Sequence, residues 1–222
     1  MLMKLDSPGP PPTFTRRRLG ALAAGAVLGA PATAGAAGLA ETRLTVSGDG
    51  TFGREVLLLR PAGVEPEARR PLLVLLHGLG ESVDIPTGIR AWTRRYGLLD
   101  AYKRLEAPPV VPTSRREDWP RSRIAQVNQR LAQVPFLGAV IVCPFTPAPG
   151  RYADWLTTVV VPSALAAAPE AHEAAVGLDG CSLGGWLALE VFRRSPEPFA
   201  ALGCIQAAIS TAAADSYAGA LL

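Results

Sequence analysis

The stretch Gly180-Cys181-Ser182-Leu183-Gly184-Gly185 sets a hydroxyl in the spacing Gly-x-Ser-x-Gly, between the β-forming run AAVGLD (174–179) and the amphipathic run SLGGWLALEVFRR (182–194). A serine on a tight, strained turn from strand to helix is the arrangement of an acyl-transfer nucleophile. Gly180 and Gly184 leave room for the backbone to fold back where a side chain would collide. Ser182 is then expected at the carboxyl end of a central strand, and the N–H of Leu183, first in the helix, is free to bind an oxyanion. Such a motif also arises by chance, so its weight comes from the strand and helix on either side.

HGLG (77–80) ends a second apolar run and supplies a glycine-flanked loop, from which a further oxyanion-hole N–H is expected at Leu79 or Gly80. His77 precedes that loop on its own strand and reads as a residue that holds the loop by hydrogen bonds, since a general base must reach the serine oxygen. His172 is the only other histidine. It lies before the strand that leads into Ser182, and six residues at ~3.3 Å each separate the two by about 20 Å. Asp215 is placed beyond the strand that follows the serine helix, at the sheet edge where an acid could act, but with no histidine to orient. Cys181 as a thiol nucleophile is a weaker reading, because it is expected to point away from the cleft and lacks a base.

The elements that must position these groups alternate. TRLTVS (42–47) and REVLLLR (54–60) read as strands joined by the turn SGDGTFG, and PLLVLLHGLG (71–80) opens with a strand apolar on both faces, as in a parallel sheet. IRAWTRRYGLLDAYKRL (89–105) carries Trp92, Tyr96, Leu99, Tyr102 and Leu105 at helical spacing. Residues 106–123 read as a surface excursion, and 122–134 as a helix with Ile124, Val127, Leu131 and Val134 on one face. GAVIVCPF (138–145) is a buried strand, YADWLTTVVVPSALAAA (152–168) a helix despite its β-branched run, and FAALGCIQAAI (199–209) a strand. Strand and helix alternate from residue 71 onward, which specifies an α/β fold with a mainly parallel sheet and helices on both faces. The ending AAADSYAGALL shows no recognisable terminal helix cap.

LLVLLHGLG, YADWLTTVVVPSAL and GLDGCSLGGWLAL, in that order, resemble the putative-esterase branch of the α/β-hydrolases, the group of esterase D, feruloyl esterases and mycolyltransferase antigens. The resemblance covers residues 71 to about 209. It implies an α/β-hydrolase-like fold and hydrolysis or transfer of a carboxylic ester through an acyl-enzyme on Ser182, with no metal and no cofactor. It also implies a triad in the chain order serine, acid, histidine. Neither acid nor histidine is found where the group carries them. The expectation is therefore a hydrolase lacking its C-terminal strands, weakly active or inactive as this chain; the alternative is a non-catalytic binding protein or pseudoenzyme on the same fold.

Composition narrows the partners. The chain has 222 residues and a net charge of +3. Lys4, Arg16, Arg17 and Arg18 against Asp6 account for that surplus, and the rest is balanced, so a nucleic-acid partner is excluded for want of a basic patch. The expected partner is a small or polymer-linked ester. Residues 1–36 read as an export signal: TRRRLG (15–20), the apolar run ALAAGAVLGA (21–30), then small residues for cleavage between Ala34 and Ala36. The arginine pair resembles a twin-arginine signal, with an ordinary secretory signal or an uncleaved amphipathic tail as alternatives. The apolar run falls short of the ~20 residues that span a bilayer. Residues 37–222 would then form a partial α/β-hydrolase domain, periplasmic or extracellular. Cys143, Cys181 and Cys204 are too few for a disulfide framework.

Overall fold

The computed structural model describes residues 38–47, 52–65, 67–112, 120–147 and 152–221. The segment 1–36 expected to direct export lies outside these, as does most of the turn expected between the first two strands.

Six strands form one sheet in the order β1-β2-β4-β3-β5-β6: β1 (Leu39–Thr45), β2 (Glu55–Pro61), β3 (Arg70–Leu76), β4 (Val140–Cys143), β5 (Ala171–Gly180) and β6 (Ala201–Leu202). β2 runs antiparallel to β1 and β4, while β4, β3, β5 and β6 are parallel. Between β3 and β4 lie α1 (Ile85–Ile89), α2 (Ala91–Arg94), α3 (Leu98–Glu106) and α4 (Arg121–Gln133). α5 (Tyr152–Trp155) continues through a wide π turn at Leu156–Val160 into α6 (Val161–Ala167), ahead of β5; α7 (Leu183–Arg194) joins β5 to β6, and α8 (Thr211–Leu221) follows. The π turn sits just before Pro162, whose missing N–H interrupts the regular ladder there.

The central strands are apolar throughout because both faces are covered. Along β3, Leu72, Val74 and Leu76 pack with Tyr152, Leu156 and Val160 and with Leu187, Ala188 and Val191 of α7. Leu73 and Leu75 face the other way, into a cluster with Ile89, Trp92 and Tyr102. The connection leaving β3 thus covers one face and those leaving β4 and β5 the other. Where neighbouring connections diverge in this way, a crevice opens at the carboxyl ends of the strands, here between β3 and β5.

Two expectations need correction. The helix expected over 89–105 is broken: Gly97 at φ +71° stops α2 and starts α3, so the apolar spacing crosses a break. The strand expected over 199–209 pairs only at Ala201–Leu202, with one further bridge between Cys181 and Ile205. Thr211–Leu221, given no element from the sequence, form the helix α8, and at its start the Ala213 N–H donates to Ser210 Oγ at 3.2 Å. The helix expected over 122–134 is present as α4, but none of its residues is fully buried.

Candidate active site

Ser182 stands between β5 and α7 with φ 56° and ψ −114°, a conformation that residues other than glycine rarely adopt and that persists only where the surroundings fix it. Those surroundings are backbone. The Ser182 N–H donates to the Ile205 carbonyl (2.9 Å), and the Ser182 carbonyl accepts from Trp186 (3.1 Å) and Ala208 (3.0 Å). The two glycines are obligatory for the same reason. A Cβ on Gly180 would lie 2.2 Å from the Gly184 carbonyl oxygen, and one on Gly184 would lie 2.3 Å from that of Leu76.

The loop after β3 meets this turn. A Cβ on Gly78 would sit 3.5 Å from Ser182 Cβ, 3.1 Å from the Tyr96 hydroxyl oxygen and 3.4 Å from Glu81 Oε2. The three groups converge on one point. From Gly78 the chain enters a single 3₁₀ turn, Leu79–Glu81, and Leu79 is 67% exposed. The first N–H groups of any helical turn lack acceptors within it, and Leu79 and Gly80 hold those positions in the 3₁₀ turn, as Leu183 does in α7.

His77 is fully buried, and both its ring nitrogens are engaged: Nδ1 with the Gly78 carbonyl at 2.9 Å, and Nε2 as acceptor from the Thr146 N–H at 2.8 Å. Burial pushes its pKa down, against the smaller opposing effects of the Gly78 carbonyl and Glu81, and the ring is neutral. Its role here is to tie the loop after β3 to the end of β4. His172 pairs with Pro71 at the opposite end of β5, and its Nδ1 accepts from the Ala174 N–H. Asp215 is exposed on α8. No imidazole reaches Ser182.

Cys181 packs half-buried against the Leu75 side of the core. Burial first, then the charges of Glu81 and Asp179, push its thiol up and away from the reactive thiolate. Asp179 is itself pushed up by burial, partly offset by the Gly180 N–H that donates to it.

Glu81 and Tyr96 were not apparent as site residues from the sequence, where Tyr96 counts only as part of a helix face. The Tyr96 hydroxyl accepts the Gly78 N–H at 3.1 Å and donates to Glu81, whose other oxygen meets Arg95 at 3.2 Å. The only sequence signal was an acid directly after a glycine loop. Among the described residues, no group of three His, Cys, Asp or Glu is placed to hold a metal ion, and no helix is long and apolar enough to cross a membrane.

No protein-family model matches the chain, and no curated protein matches it in sequence. Solved structures do. A ferulic acid esterase superposes with a TM-score of 0.51 at 14% identity, over 78% of this chain and 60% of the other. A ferulic acid esterase from the anaerobic fungus Anaeromyces mucronatus gives 0.51 at 13% identity, over 79% and 61%. The chain therefore spans about three-fifths of the length of these structures, and at such identity the likeness is one of fold, α/β-hydrolase-like.

Proposed function

We propose that this chain carries the nucleophile and the oxyanion-binding groups of an exported serine hydrolase for carboxylic esters. The observation that carries the reading is the strained Ser182, held at the carboxyl end of β5 against the Gly78 loop. Ser182 Oγ attacks the ester carbonyl carbon, and the resulting oxyanion is received by the N–H groups of Leu183 and of Leu79 or Gly80. Collapse of that intermediate expels the alcohol and leaves an acyl-serine, which water cleaves to the acid. The chemistry calls for no metal or cofactor.

Each step needs a base for the serine or water proton and an acid for the leaving alcohol. Both histidines of the sequence are committed elsewhere, so neither supplies that base to Ser182. By itself the chain is a slow catalyst. Residual rates of about 10³–10⁴ over water survive in triad-deficient hydrolases through the oxyanion hole and binding. The names of the two similar structures make a ferulate ester the first natural substrate to try. Export through residues 1–36, with residues 37–222 as the hydrolase portion, belongs to the same proposal.

The test is hydrolysis of p-nitrophenyl acetate and methyl ferulate by the 222-residue chain and by Ser182→Ala, with and without added imidazole. Slow turnover that needs Ser182, and that imidazole accelerates only in the wild type, is the expected result. Equal rates for the two proteins in all conditions would favour the alternative, a binding protein on a hydrolase fold.

A further inference from the structure

We infer that Tyr96 and Glu81 are positioning residues that lock the oxyanion loop against Ser182; this rests on the reading of Ser182 as nucleophile. The loop from Gly78 to Ser82 is tied down on its β4 side by Ser82 Oγ, which donates to the Thr146 carbonyl at 2.8 Å, and by His77. On the α2 side its polar ties are the Tyr96 hydroxyl and Arg95, which meets Glu81 at 3.2 Å. That hydroxyl uses its lone pair on the Gly78 N–H and its proton on Glu81. The direction of both bonds follows from the chemistry: an N–H can only donate, so the hydroxyl proton is free for the carboxylate.

The bond to Gly78 has a consequence for the site. With the Gly78 N–H turned inward to Tyr96, the next two N–H groups, those of Leu79 and Gly80, open the 3₁₀ turn and stay available for a ligand. Were the Gly78 peptide to rotate, both donors would be re-aimed. An oxyanion hole works because its dipoles are fixed before charge develops, so whatever fixes this peptide contributes to the rate without touching substrate.

Glu81 is suited to hold the tyrosine. It is 8% exposed, and a carboxylate so placed is tolerable only when its oxygens are satisfied, here by Tyr96 and Arg95. The tyrosine ring is braced in turn, edge-on to Trp92 with centroids 5.1 Å apart. The phenol is no substitute for the missing base: burial and then the Glu81 bond push its pKa up to about 12, so it keeps its proton.

The full chain, with Tyr96→Phe, Glu81→Gln and Glu81→Ala, tests this through two readouts. The first is hydrogen exchange of the Gly78 amide by NMR. Tyr96→Phe keeps the ring and removes the acceptor, and should speed that exchange about five- to ten-fold, the worth of one hydrogen bond. Glu81→Gln retains an acceptor oxygen for Tyr96 and should stay near wild type, whereas Glu81→Ala should follow Tyr96→Phe. The second is the Ser182-dependent part of imidazole-assisted ester hydrolysis. There Tyr96→Phe should lower kcat by about ten-fold or more, with KM little changed, because misplaced donors act on the transition state. Unchanged Gly78 exchange in Tyr96→Phe overturns the lock, as does faster exchange with kcat intact. Failure of the Ser182 reading shows separately, as hydrolysis indifferent to Ser182→Ala, and the exchange readout then decides the lock by itself.

Discussion

Replacing Gly184 by alanine sets two physical effects against each other. Gly184 is the second residue of α7, and by helix propensity alone alanine is the better residue by about 1 kcal/mol. Packing opposes it. The added Cβ would lie 2.3 Å from the Leu76 carbonyl oxygen and 2.6 Å from that of His77, where even close C–H···O contacts settle at roughly 3.3 Å. Both oxygens belong to the backbone at the end of β3, the strand between β4 and β5, so no side chain can swing aside. α7 must retreat by about 1 Å, and overpacking of this kind costs about 3 kcal/mol at the upper end of its usual range. The net expectation is a loss of about 2 kcal/mol, which at a urea slope of about 2 kcal/mol/M lowers the midpoint by roughly 1 M. Gly80→Ala is the control. Nothing lies within 4 Å of its Cβ position and its φ is not in the left-handed region, so alanine should leave the midpoint unchanged or raise it by restricting the unfolded chain. A Gly184→Ala protein that unfolds at or above the wild-type midpoint with an unchanged slope would refute the packing argument.

Other outcomes follow from the structure. Arg60 binds Glu170 through two bonds, 2.6 and 2.8 Å, with the glutamate 1% and the arginine 37% exposed at the side chain. Arg60→Ala strands a buried carboxylate and should cost about 2–3 kcal/mol after allowance for the exposed partner, whereas Glu170→Gln leaves an arginine that can turn to water and should cost less; urea midpoints in the reverse order would count against this account. His77 is held neutral with its pKa below the ordinary value, so the unfolded state takes up a proton more readily. Its contribution is complete above about pH 6.5 and is lost as pH falls below that, and a pH series of urea midpoints should flatten between pH 7 and 5 in His77→Gln. For the N-terminal segment, Arg16→Lys with Arg17→Lys should block translocation of a folded reporter, since a twin-arginine route reads the pair and not its charge; undiminished export would indicate the general secretory route.

Much of the fold was legible because its signals are local. The alternation Leu72-Leu73-Val74-Leu75-Leu76 is apolar at every step, which is what a strand with two covered faces requires, and the structure sends its odd and even members to opposite layers. The failures occurred where a local pattern met a constraint from elsewhere. The helical period over 89–105 runs straight through Gly97, but the left-handed conformation of that residue ends one helix and begins another. FAALGCIQAAI has a strand's composition, yet Gly203 must pass close to the Asp179 carboxylate, 2.7 Å from where its Cβ would be, and Gln206 turns the chain away at φ 48°. The segment extends the sheet by only two residues. Its larger service is to offer the Ile205 carbonyl to the Ser182 N–H and so to hold the elbow from outside.

The site divides along the same line. Gly180, Ser182 and Gly184 are neighbours in sequence, and the steric reason for the two glycines lies within one turn, so the elbow was readable from its own residues. The loop that meets it was half readable: HGLG signals a glycine turn at a strand end, but nothing in those four letters says that Tyr96, eighteen residues on, accepts the Gly78 N–H. A tyrosine at helical spacing is ambiguous by nature, since the same ring can fill a core while its hydroxyl serves a loop. Tyr96 does both, packing on Trp92 and bonding to Gly78 and Glu81. The places of the two histidines were also legible, and geometry supplies the cause. One histidine is consumed in joining β3 to β4 and the other stands at the far end of β5, so neither serves the serine turn. A turn this strained, at a cost of order 1–3 kcal/mol, is hard to account for as packing alone, and that is the physical ground for looking to chemistry at Ser182.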